Sequence, residues 1–92
     1  MGTPTHNDLM AVARLMRSKP REMRRWVMVR VLDEACAASH WVTETKTCHP
    51  VWGDGTLMSA ALRRGCPPVY GLDDAEYGTC LADVARAISH RL

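Results

Sequence analysis

A chain of 92 residues has room for one small domain, because so short a polypeptide buries only a modest part of the surface its unfolded form exposes. Its 47% apolar and 24% charged residues exclude the low-hydrophobicity, high-charge corner in which chains stay disordered, and three Trp, two Tyr and no Phe against six Met argue for packed helices over a sheet. The net charge of +2 hides a polarised chain: Arg14, Arg17, Lys19, Arg21, Arg24, Arg25 and Arg30 are opposed in that interval only by Glu22, whereas Asp73, Asp74, Glu76 and Asp83 gather near the other end.

The spacing of Leu9, Val12, Ala13 and Met16 predicts a first helix from about Asp8 to Arg17, with Thr5 or Asn7 as its cap. Ser18-Lys19-Pro20 ends it, and Pro20 suits the opening of a second helix. From Pro20 to about Val42 or Thr45 there is neither Gly nor Pro. Val27, Val31, Ala35, Ala38 and Val42 form an apolar stripe there, widened by Met28, Leu32 and Cys36, so this long helix is expected to form the spine of the core. Thr43, Thr45 and Thr47 are weak helix formers that should fray its end. Pro50 and Gly53-Asp54-Gly55 predict a loop over 47–55, followed by a short helix over 56–64 that ends at Gly65. Residues Cys66 to Gly71 then read as an extended connector. In the last helix Asp73 as N-cap and Glu76 three residues later resemble a capping box, with Leu72 and Tyr77 placed for a hydrophobic staple. Tyr77, Leu81, Val84, Ala85 and Ile88 share one face to about His90. The expectation is a single all-α domain over 1–92, a compact array of about four helices with one long central helix and one short one.

No apolar run approaches the roughly 20 residues of a bilayer span, and the first residues carry neither the basic nor the apolar region of a secretory signal, so a cytoplasmic protein without membrane association is expected. Cys36, Cys48, Cys66 and Cys80 include no Cys-x-x-Cys pair and are expected as free thiols.

Several constellations carry chemistry on paper. Cys36 and His40 lie four apart on one helix and Cys48-His49 opens the next loop, the right ligand types for zinc. Adjacent Cys48 and His49, however, do not readily turn to one tetrahedral ion, and no metal or other cofactor is expected. His49 with Asp54 would make an acid/base pair and Cys48 a nucleophile, but nothing nearby offers an oxyanion donor or a lined pocket, so no catalytic residues are assigned. Gly53-Asp54-Gly55-Thr56 lacks the lysine and preceding strand of a phosphate loop. The structural reading of this turn has Asp54 capping the short helix, Trp52 packed over the helix junction and His49 bonding a loop carbonyl. The interaction reading makes Trp52, Asp54 and His49 a docking surface, with an aromatic anchor on a rigid turn. Arg21, Arg24 and Arg25 should cluster near the junction of the first two helices, where guanidinium groups suit an acidic protein surface or, as an alternative, nucleic-acid phosphates. Trp26 beside them is either core or surface.

The segment Cys48-His49-Pro50-Val51-Trp52-Gly53-Asp54-Gly55-Thr56-Leu57-Met58, with Leu72-Asp73-Asp74-Ala75-Glu76-Tyr77 after it, resembles a family of small uncharacterised alphaproteobacterial proteins, a domain of unknown function. Its members carry a His-Pro-x-Trp-Gly-Asp-Gly-Ser/Thr-Leu-Met segment. The resemblance covers the last half of the chain closely and the first half as a helical pattern, and it implies no activity. The expected function is that of a non-enzymatic adaptor or accessory protein acting through a protein partner. A nucleic-acid-binding accessory protein using segment 14–30 is the alternative, and a small zinc domain the second.

Overall fold

The computed structural model describes residues 3–65 and 67–91, so Cys66 and the termini lie outside the described residues. Four helices in chain order, α1 (His6–Arg17), α2 (Arg21–Thr45), α3 (Leu57–Arg63) and α4 (Ala75–Arg91), make an all-α fold without a strand among the described residues. The helix α2 supplies the length, but α1 is the hub: it packs on all three other helices, whereas α2 otherwise packs on α3 alone to any extent. Val12, Ala13, Leu15 and Met16 of α1 are accordingly buried almost completely, against Val27, Val31, Leu32 and Ala35 of α2, Leu57 and Ala60 of α3, and Cys80 and Val84 of α4.

Helix starts follow the local side chains. Thr5 caps α1 through a capping box in which its hydroxyl accepts the Asp8 amide and the Asp8 carboxylate accepts the Thr5 amide, so the helix begins at His6, ahead of the expected Asp8. Pro20 is the N-cap of α2. The threonines near its end do not fray it, since the Thr43 and Thr45 hydroxyls donate to the Ser39 and Trp41 carbonyls at 3.0 and 2.8 Å. The helix stops when Lys46 adopts a left-handed conformation, φ 61°.

Three expectations need correction. Asp74, not Asp73, caps α4: its Oδ1 accepts the Tyr77 amide at 2.9 Å, and Leu72 is 84% exposed, so no staple with Tyr77 forms. Once the cap moves by one residue, Leu72 and Tyr77 no longer occupy the two staple positions. On the same helix Cys80 takes the buried place expected of Ala85, which is exposed. On α2, Val42 and Cys36 are only half-buried: Val42 lies beyond Ala38, the last buried residue of the helix, and Cys36 stands near Arg91.

Candidate functional site

The turn between α2 and α3 is built almost entirely from its own polar groups. His49 and Gly53 exchange two backbone hydrogen bonds, of 2.7 and 3.1 Å, which close residues 49–53 into a tight loop. The His49 Nδ1 accepts the Val51 and Trp52 amides at 3.0 and 3.1 Å, so His49 acts as an acceptor for amides and not as a donor to a carbonyl. Its ring stacks on Trp52 at 4.6 Å and meets the edge of Trp41 at 5.2 Å. Trp52 is thus half-buried on the histidine rather than packed in the core.

Asp54 supports the cap of α3 and is not itself the cap. Its Oδ1 accepts the Thr56 amide and hydroxyl at 3.0 and 2.8 Å, and Thr56 in turn caps the helix by accepting the Ser59 amide. Those bonds from Thr56 hold the Asp54 carboxyl below the usual carboxylate range. The next amide of α3, that of Met58, donates at 3.0 Å to the Asp8 carboxylate, which arrives from α1. The start of α3 is therefore filled by the protein's own side chains. Gly53 and Gly55 take φ of 84° and 93°, as the glycine triplet predicts. At Gly55 a Cβ would lie 2.8 Å from the Ser39 Cα, so this turn lies directly on the α2 backbone.

His49 and Asp54 are each committed to separate backbone groups and make no acid/base pair. Cys48 is exposed beside them. Among the described residues no three His, Cys, Asp or Glu side chains are placed to hold a metal ion; His40 reaches toward Glu44 and Cys36 lies near Arg91. Burial pushes the Cys80 thiol above its ordinary range.

The basic block and the acidic C-terminal segment meet each other. Arg17 donates to Asp74 at 3.0 Å and approaches Glu76; Arg21 and Arg24 reach the same Glu76 at 2.9 and 3.1 Å. Hydrogen bonds from Arg17 lower the Asp74 carboxyl, and those from Arg21 and then Arg24 lower Glu76. Arg14 spends its guanidinium on the Pro67 and Pro68 carbonyls, and Arg17 lies over the Tyr70 ring, so the connector is pinned on α1. Of the three arginines assigned to a partner, Arg24 is held inside this network, Arg21 is exposed but paired, and Arg25 is exposed with no ion pair among the described residues. Trp26 is surface, 53% exposed, with Arg30 and Arg64 over its ring; both of these arginines pair with the buried Glu34.

These ion pairs frame a recess between α2 and α4. At one end Glu76 of α4 binds Arg21 and Arg24 of α2, and at the other Arg91 of α4 binds Asp33 of α2 at 2.9 Å. Between these clasps α2 and α4 rest side by side on α1 without packing closely on each other, leaving a groove of about 720 Å³. Its floor is Met16, Met28, Leu32 and Cys80, and its walls carry Val29, Ala87 and a set of arginines. Of the α4 wall, with Thr79, Asp83 and Arg86, the sequence marked Asp83 as one of the acids that polarise the chain and assigned none of the three to a site. The turn with Trp52, His49 and Asp54 contributes nothing to the groove lining, so the six residues assigned to a partner belong to two separate places.

A family profile described as Domain of unknown function (DUF7742) matches residues 3–88, so the chain belongs to that family. The match includes both signature segments and nearly all of the basic N-terminal third. No curated protein and no solved structure matches the chain.

Proposed function

We propose that this member of the DUF7742 family is a small non-enzymatic adaptor of the cytoplasm that acts through protein contacts made in the groove between α2 and α4. The observation that carries it is the groove itself: two helices clasped by ion pairs at both ends yet unpacked between them, over an apolar floor. The commitment of His49 and Asp54 to backbone amides supports a non-catalytic reading, since neither is poised to move a proton. The half-exposed Trp52 and Trp41 offer a second, smaller contact surface at the turn. The alphaproteobacterial setting that the His49–Met58 signature resembles belongs to the same proposal. Phosphate contact remains the alternative reading, supported by exposed Arg25.

Among the described residues no helix is long and apolar enough to cross a membrane. A photo-cross-linking side chain at Thr79, an exposed groove position, tests the adaptor reading against the same group at Asn7, which lies at the far end of α1. A discrete protein adduct from Thr79 alone, unchanged by nuclease, is the expected result. Adducts to nucleic acid only, or equal protein adducts from both positions, would remove the groove as the docking site.

A further inference from the structure

The groove has the length of one short helix. On α4 it runs along a single face from Glu76 to Arg91, about 22 Å at the rise of an α-helix, and on α2 from Arg21 to Leu32, about 16 Å. A trough that long, walled by two helices and floored by side chains of three, matches the helix-in-groove mode of recognition, in which apolar anchors recur every three to four residues.

Its charge is one-sided. Arg21, Arg24, Arg25, Arg86 and Arg91 line it against Glu76 and Asp83. Glu76 is already shared among Arg17, Arg21 and Arg24, and Arg91 is on Asp33. Arg25 on the α2 wall and Arg86 on the α4 wall are both exposed and have no ion pair among the described residues. Guanidinium forks in that state suit carboxylates and phosphates alike, and an apolar floor rewards only a ligand with an apolar face.

We infer that the groove between α2 and α4 seats an acidic amphipathic helix of a partner protein, its apolar stripe on Met28, Val29 and Ala87 and its carboxylates on Arg25 and Arg86. The inference rests on the reading of the groove as the docking site. Nucleic acid fits less well, since phosphates would leave the apolar floor unused and meet Asp83 within the groove.

The test uses three fluorescent helical peptides of about four turns that share one Leu/Met stripe and differ only in their charged positions, acidic, neutral or basic, together with a DNA duplex of matched length. Binding to the full chain is read by anisotropy. The acidic peptide should bind at least about tenfold more tightly than the neutral one and lose affinity as salt rises, and the Arg25→Glu/Arg86→Glu variant should weaken it by about tenfold or more. Arg63→Glu, on an exposed position of α3 outside the groove, should leave it unchanged. Circular dichroism confirms that each variant is folded. Equal binding of all three peptides would overturn the acidic partner while leaving the docking reading in place. Binding of none would overturn both, and tighter binding of the duplex than of the acidic peptide would overturn the inference in favour of phosphate contact.

Discussion

Removing the Asp8 carboxylate should unfasten α3 from α1. Asp8 is 6% exposed and accepts three hydrogen bonds: Oδ2 takes the Thr5 amide at 2.9 Å and the Thr5 hydroxyl at 3.1 Å, and Oδ1 takes the Met58 amide at 3.0 Å. In Asp8→Ala the lost half of the capping box costs about 1 kcal/mol. The Met58 N–H left without a partner adds about 1–3 kcal/mol. The sum is about 2–4 kcal/mol, and at roughly 4–8 °C per kcal/mol for a domain of this size Tm should fall by about 8–32 °C. Asp8→Asn keeps one acceptor oxygen, enough for the Thr5 amide or the Met58 amide but not for both, and should fall between Asp8→Ala and the parent chain. Thermal and urea unfolding followed by far-UV circular dichroism measures both, with the urea midpoint falling at unchanged slope. A Tm for Asp8→Ala within about 3 °C of the parent would refute the argument, since it would mean that water replaces all three bonds without loss.

Gly55→Ala should destabilise by about 2 kcal/mol or more, because the turn requires φ of 93° and the new Cβ would meet the α2 backbone at Ser39. Gly65→Ala, whose Cβ would meet nothing within 4 Å, should cost less, and urea midpoints that rank the two the other way would contradict the close approach. The Asp74 and Glu76 carboxyls sit below their ordinary values, so the native state holds them charged at a pH where the unfolded chain already binds protons. Their contribution is complete above the unfolded values near 4 and is lost as pH falls through the folded ones, so the urea midpoint should drop on acidification from about pH 5. Asp74→Asn/Glu76→Gln should flatten that drop, and an equal drop in the variant would remove these two groups as its source.

Much of the fold was legible because helical periodicity and stop signals are local. Pro20, the Gly53-Asp54-Gly55 triplet and Gly65 punctuate the chain within a residue or two of where helices begin and end. The errors have one physical origin: neighbouring residues of the same type compete for a role that tertiary contacts decide. Asp73 and Asp74 are equally good caps by type, and Arg17, reaching across from α1, binds Asp74. Trp26, open between core and surface in the sequence, stays outside because α2 already buries Val27, Met28, Val31 and Leu32. Asp8 escaped notice because its decisive bond, to Met58, spans fifty residues, and no local pattern encodes such a distance. The same limit hid the α4 wall of the groove.

The polarity of the chain has a structural cause before it has a partner. A basic first third and an acidic start to α4 let Arg17, Arg21 and Arg24 converge on Asp74 and Glu76, which ties the start of α4 to α1 and α2. Apolar packing sets the relation of α2 and α4 only through α1, because both rest on α1 and scarcely touch each other. Near the surface each such pair is worth little, but Glu76 is held by several guanidinium groups at once, and networks hold geometry better than isolated pairs. Charge therefore links α2 and α4 where they do not pack directly on each other, and the consequence is a trough whose ends are tied and whose middle is open. The surplus is what a partner would read: on each wall one arginine, Arg25 or Arg86, stands outside the clasps, so a charge reversal at these two positions should alter recognition without altering the clasps that shape the groove.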